Sequence, residues 1–415
     1  MTSSQQPLHL FQGFGVEMEY MIVHRHNLQV LPICDKLIYD EVGAYLSDVE
    51  FGQIAWSNEL VLHVVELKTQ LPVSSLTGWH QKFQEHVRKI NHMLEKYEAM
   101  LLPTGAHPLM NPDTDTKLWP HEHNAVYEAY NRIFDCRGHG WSNLQSTHLN
   151  LSFQGDEEFA KLHAAIRVVL PILPALSAST PLLEGKYTGF ADSRLEVYRH
   201  NQKEIPSIAG KVIPEAVFTK AAYEQQILQK MYDAIASKDP EGVLQEEFLN
   251  SRGAIARFER NAIEIRVLDI QECPLADVAI LQAIVTVVKA LVNERWVPVQ
   301  ALMELHEDQL AIVLHEVIKH GGDATIKDAK LLDALGFRNR TSCLASELWQ
   351  HLVKEVVSII EEPEVAHALD VILNRGNLAK RIKQAAGETP SEDRISQIYH
   401  QLAACLQTGK MYIPE

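Results

Sequence analysis

In the stretch Gly13-Phe-Gly-Val-Glu17-Met-Glu19-Tyr-Met-Ile-Val23, two glutamates stand two positions apart. An extended strand turns alternate side chains to one face, so Glu17 and Glu19 share a surface while Val16, Met18 and Tyr20 take the core side. Like charges on one face repel unless a cation sits between them, and a divalent metal would do that. The pattern recurs in three more stretches. Glu59-Leu-Val-Leu-His-Val-Val-Glu66-Leu-Lys68-Thr69 puts Glu66 and Lys68 on one face; Gln145-Ser-Thr-His148-Leu-Asn150 pairs His148 with Asn150; Ala262-Ile-Glu264-Ile-Arg266 pairs Glu264 with Arg266. Each has aliphatic residues in the alternate register, as expected of half-buried strands of one sheet with a polar, metal-competent face. Oxygen ligands with one imidazole suit Mg²⁺ or Mn²⁺, whereas zinc would want Cys or several His. Glu59 and Glu66 are seven apart and differ in parity, so both reach that face only if a bulge or twist intervenes.

The elements that must position these residues follow from periodicity. Strands are expected near 13–24 and 55–69, then a helix over 78–100 with Phe83, Val87, Ile90 and Leu94 at helical spacing. Leu101 to Pro108 reads as a strand running into a turn, and 109–143 as loop plus a short helix. His121-Glu-His123 lies there, beside Pro120 and Asn124, and reads as a polar loop rather than a metal site. The apolar segment 157–179 reads as a helix ended or kinked by Pro171 and Pro174. Residues 180–216 lack periodicity and carry several glycines and prolines, which predicts an irregular, partly mobile loop able to cover a site. Beyond Pro274 nearly everything reads as helix, including 277–295, 309–320, 345–361 and 391–406.

The chain has 415 residues, 46% hydrophobic and 22% charged, enough for a large core. Its formal charge of −16 argues against a nucleic-acid partner. The first ten residues have no basic region or long apolar run of a secretory signal, and the longest apolar stretches are interrupted, so no membrane span is expected. Five scattered cysteines without a CxxC spacing fit free thiols in a reducing cytoplasm. No P-loop, complete GxGxxG or G-x-S-x-G occurs, which excludes those nucleotide-binding and hydrolase classes.

The ordered blocks GVEMEY, ELVLHVVELKT, LLPTGAHP, QSTHLNLSF, LPALSASTPLLEGKYTGFADSR and NAIEIRVLD resemble the glutamate–cysteine ligase type 2 family, carboxylate–amine ligases of the glutamine synthetase fold. The resemblance covers about residues 11–275. It implies an α+β fold: a curved, mainly antiparallel sheet with flanking helices as a catalytic core over 1–275, and a helical region over 276–415 packed on that core. It implies ATP and Mg²⁺ or Mn²⁺ as cofactors, glutamate and an amine such as cysteine as substrates, a γ-glutamyl phosphate, a place in glutathione biosynthesis, and a homodimer. By resemblance, the metal ligands are Glu17, Glu19, Glu59, Glu66, His148 and Glu264. Arg266 and Arg194 are the catalytic and phosphate contacts, and Lys68 and Asn150 orient substrate or ligands. Arg257 and Arg260 read better as solvated surface. The chain departs from the family at Met18 and at Ala106, both core-side changes. Two other functions fit the same residues: a phosphotransferase of this fold, and a non-catalytic nucleotide-binding regulator.

Overall fold

A computed structural model describes residues 7–338, 340–356 and 360–414. Its main sheet has eight strands: β1 (Phe14–His24), β2 (Asp48–Phe51), β3 (Ile54–Asn58), β4 (Val64–Thr69), β5 (Ala99–Leu102), β6 (Ser146–Ser152), β7 (Ala254–Arg257) and β8 (Ala262–Asp269). The order is β2-β3-β4-β1-β6-β8-β7, with β5 also on β1, and every pairing is antiparallel. β1 is central: it pairs with β4 on one side, and on the other with β6 through residues 14–18 and β5 through 21–24.

Alternation sets the two faces. Val16, Met18, Tyr20 and Ile22 are fully buried in one core that also takes in Val87 and Ile90 of the helix Trp79–Leu94, Leu162 and Ile166 of the helix Gly155–Val169, and Ile284 and Val288 of the helix Pro274–Val292. The last helix is long and apolar enough to cross a membrane, yet most of it is buried inside the protein, packed on Trp79–Leu94, Gly155–Val169 and Pro363–Arg375. The later helices join the same core through Trp349, Leu352, Leu369 and Ile372. On the opposite face, the far end of β1 turns apolar: Met21 and Val23 pack with Leu378 and Ile382 of the helix Leu378–Ala386 and with Ile398, Tyr399 and Leu402 of the helix Glu392–Thr408. The C-terminal helices therefore close one end of the polar face.

Several expectations change. The stretch 55–69 is a hairpin of two strands, not one strand, and Glu59 lies in the connection, so no bulge is needed to reconcile its parity with Glu66. The connection is pinned by backbone bonds, Cys34 N–H to the Leu62 carbonyl (2.8 Å) and Trp119 N–H to the Leu60 carbonyl (3.0 Å), which compete successfully with continued pairing. The helix expected over 78–100 stops at Leu94, because a single 3₁₀ turn and Glu98 in the left-handed region swing the chain into β5. The segment 180–216 is irregular, as expected, but much of it is buried: it holds two-residue strands at 182–183 and 186–187 and a helix Ser193–Tyr198 capped by Asp192. The proline-ended helix is borne out: Gly155–Val169 gives way to short turns at Pro171 and Pro174. The C-terminal helices run Glu307–His320, Ala345–Val356 and Glu392–Thr408; residues 357–359 of the expected 345–361 helix lie outside the described residues.

Candidate functional site

Register converts sequence spacing into transverse rows across the sheet. One row reads Ser57, Glu66, Glu19; the next reads Ala55, Lys68, Glu17, His148; a third reads Gly15, Asn150, Glu264. Glu19 and Glu66 are thus directly opposite, a placement that destabilises a sheet unless a cation or proton intervenes. Glu59 arrives from the β3–β4 connection. Ligand-competent atoms of Glu17, Glu66 and His148 lie within 4.8 Å of one another, as do those of Glu19, Glu59 and Glu66, so Glu66 is shared by two potential cation positions.

The surrounding bonds aim these groups. His148 Nδ1 lies 2.7 Å from Glu17 Oε2, and the Asn150 amide donates to Glu17 Oε1 (3.1 Å). Glu19 Oε2 accepts from the Ser146 backbone N–H (2.7 Å) and hydroxyl (3.0 Å), leaving Oε1 toward the imidazole at 3.7 Å. Ser57 donates to Glu66 Oε1 (2.7 Å), and Lys68 bridges Glu66 (3.4 Å) and Asp48 (2.5 Å). Burial pushes the Glu59 carboxyl well above its usual range, and Glu19, Glu66 and Glu17 push it further. Burial also raises Glu66, to about 7, with Glu17 adding to the rise and Lys68 and Ser57 opposing it. For Glu17 burial acts upward, but the hydrogen bond and charge of His148 outweigh it and hold the group below its usual range. His148 is raised in turn, its burial overcome by Glu17 and Glu19.

Glu264 shares this face, but in this structure its oxygens are held by arginines: Oε1 by Arg266 Nη2 (2.5 Å) and Nε (2.9 Å), Oε2 by Arg257 Nε (3.2 Å). Burial alone would raise its pKa; Arg266 and Arg257 hold it far below the ordinary value. It falls outside both close ligand groups among the described residues. Arg266 itself sits in a bulge of β8, where residues 266 and 267 together oppose His148. Its guanidinium lines the cup, held against Glu264.

Arg194 comes from the helix Ser193–Tyr198 and is buried, its Nε 2.5 Å from Asp269 Oδ1. Asp269 Oδ2 also accepts from the Ser179 N–H (2.7 Å) and the Thr180 hydroxyl (3.0 Å). Arg194 Nη2 is a buried donor with no partner among the described residues, on a side chain that lines the cup. All ten positions singled out from the sequence, Glu17, Glu19, Glu59, Glu66, Lys68, His148, Asn150, Arg194, Glu264 and Arg266, line one cavity of about 1210 Å³, together with Arg257 and Arg260. Arg257 is half-buried against Glu264, contrary to the expectation of a merely solvated side chain; Arg260 is exposed at the rim. His121 is tied to Asp35 (3.1 Å) and stacks on Tyr45, in keeping with a polar loop.

Sequence reasoning missed Ser57, Ser146, Asp48 and Asp269, which set the carboxylates and arginines in place. Ser146 carried a signal, standing two before His148 in the same alternation; Asp269 carried none, because its partners are 75 to 90 positions away. The aromatic wall was also missed: Tyr127 and Tyr130 of the helix Asn124–Phe134, and Trp141, line the cavity, and Tyr127 accepts a hydrogen bond from Asn58 (3.0 Å).

The donor set fits a hard divalent cation. Carboxylates predominate with one imidazole, and two acids, Glu59 and Glu66, are driven toward protonation by burial and then by neighbouring carboxylates unless positive charge is added. The glutamate–cysteine ligase family 2 model matches residues 13–401. An uncharacterized protein of Archaeoglobus fulgidus is 33% identical over 96% of this chain and all of its own length. A Cronobacter sakazakii protein named "Putative glutamate--cysteine ligase 2" is 26% identical, over 44% of this chain and 46% of its own, so the match spans about half of that relative. The crystal structure of a glutamate–cysteine ligase from Francisella tularensis in complex with AMP superposes with a TM-score of 0.57 at 12% identity, covering 97% of this chain and 90% of that one, a likeness of fold. The chain belongs to glutamate–cysteine ligase family 2, a family of carboxylate–amine ligases.

Proposed function

We propose that the protein is an ATP-dependent carboxylate–amine ligase that activates the γ-carboxylate of glutamate as an acyl phosphate and transfers it to an amine, with cysteine the first candidate. The observation that carries this reading is the pair of three-ligand groups sharing Glu66 in a cup that also holds Arg194, Arg257 and Arg266. Glu17, Glu19, Glu59, Glu66 and His148 would hold Mg²⁺ or Mn²⁺, which when bound neutralises phosphate charge. Ser57, Ser146 and Asn150 orient three of those carboxylates. Arg266 and Arg257 are held by Glu264 at the cup wall; contact with nucleotide phosphates would draw them off and free Glu264 as the sixth ligand. Arg194, fixed through Asp269, offers its spare Nη2 to an anionic group of substrate or phosphate. Lys68, braced by Asp48, offsets charge beside Glu66. The aromatic wall of Tyr127, Tyr130 and Trp141 would exclude water from an activated acyl group.

We also take the division near residue 275 to be topological, since helices on both sides of it share one core. The test is ADP release with glutamate and each amino acid as acceptor, with products identified by mass spectrometry. A γ-glutamyl amide with ADP and phosphate is expected. A stable phosphorylated acceptor would replace the ligase with a phosphotransferase, and no turnover across the panel would leave a nucleotide-binding regulator.

A further inference from the structure

A second cavity, of about 940 Å³, opens among the C-terminal helices, away from the cup. Among the described residues its lining includes Lys319, His320, Arg375, Lys380 and Lys383 against one carboxylate, Asp323. Asp323 is already neutralised by Lys380, whose Nζ reaches its two oxygens at 2.8 and 3.0 Å. Lys319, Arg375 and Lys383 have no carboxylate partner within 4.0 Å among the described residues. Such a concentration is conspicuous in a chain of net charge −16, where counter-charges are abundant and chance would pair these cations. The remaining walls mix the apolar Leu176, Ile372 and Leu373 with the polar Ser346, Gln350, Asn374 and Gln384, and the volume suits a small organic ligand.

The cavity also touches the segment that carries Arg194. Gly189 and Ala191 line it, and Ala191 N–H donates to the Lys319 carbonyl (3.0 Å) and Asp192 N–H to the Ile318 carbonyl (3.0 Å). Asp192 then caps the helix that bears Arg194, whose guanidinium enters the cup. Three residues of chain thus connect the basic cavity with the catalytic one.

We propose that this cavity is an effector site for a small organic polyanion carrying two or more carboxylate or phosphate groups, and that its occupation stiffens residues 186–198 and so the placement of Arg194. The regulatory meaning rests on the ligase reading; binding itself does not. The test is calorimetric titration of the metal-free full-length protein with citrate and, separately, pyrophosphate, repeated on the double variant Arg375→Glu, Lys383→Glu. Both residues are exposed and lie outside the cup, so an unchanged melting temperature and unchanged AMP binding are expected. Saturable binding of either probe by the wild type, weakened about tenfold or more in the double variant, is the expected result. Citrate alone would identify a polycarboxylate, pyrophosphate alone a phosphorylated ligand. No saturable binding of either, or equal affinity in the double variant, would overturn the site. Hydrogen exchange reads the second half: protection across 186–198 should rise on binding, and unchanged exchange with the probe bound would overturn the coupling.

Discussion

Glu66 concentrates the electrostatic problem of the cup. It is opposite Glu19, close to Glu17 and Glu59, and its pKa is raised from 4.5 to about 7 by burial and by Glu17. A carboxyl whose folded pKa exceeds its unfolded value favours the fold in its protonated form. That contribution is complete below the unfolded value of 4.5 and is lost as pH rises through about 7. The metal-free protein should therefore melt at progressively lower temperature from about pH 5 to about pH 8, and Mg²⁺ should restore the loss most at the alkaline end. Calorimetry in buffers of different ionisation enthalpy should show protons released on Mg²⁺ binding near pH 6.5. Glu66→Gln should abolish most of that release and weaken the metal. Mg²⁺ affinity unchanged between about pH 6 and pH 8 would rule out this cluster as the metal site.

At the scale of elements, the segment 179–198 depends on one buried carboxylate. Asp269, at the end of β8, receives Arg194, the Ser179 N–H and the Thr180 hydroxyl, and leaves no room beside it: a Cβ on Gly105 would come within 2.5 Å of its side chain. Removing one partner of a buried ion pair costs about 3–5 kcal/mol. Asp269→Asn, close to isosteric, should lower the denaturation midpoint accordingly and release Arg194, so that surviving folded enzyme loses turnover as well. Wild-type stability in that variant would show that the segment is anchored elsewhere. This is also where the sequence stops being readable. Period-two alternation placed Glu17, Glu19, Glu66, Lys68, His148, Asn150, Glu264 and Arg266 on one face, since alternation is a local property of a strand. Strand ends are less local: Leu60 to Val65, apolar but for His63, read as a strand continuous with Glu59, whereas tertiary backbone bonds break the ladder there. Whether Glu264 meets a metal or two arginines depends on Arg257, seven residues back on the neighbouring strand, and register between strands is not written in either one.

For the whole molecule, the outstanding expectation is a homodimer, and the surface offers a place for one. Tyr39, Val42, Tyr45 and Leu46 are exposed side by side in sequence, with the Tyr39 and Tyr45 rings 4.8 Å apart, next to the edge strand β2. Asp48 and Glu50 on that edge disfavour extension of the sheet into a second copy, so association there should use the aromatic side chains rather than main-chain pairing. Light scattering should give about twice the chain mass, and Tyr39→Lys with Leu46→Lys should return it to the monomer. The edge strand also holds Asp48, the brace of Lys68 beside Glu66. Separation of the subunits should therefore loosen Lys68 and weaken nucleotide binding while leaving the melting of the core near its wild-type value. A wild-type protein that scatters as a monomer at tens of micromolar would remove the dimer. A dimer that survives both lysines would move its interface off this face.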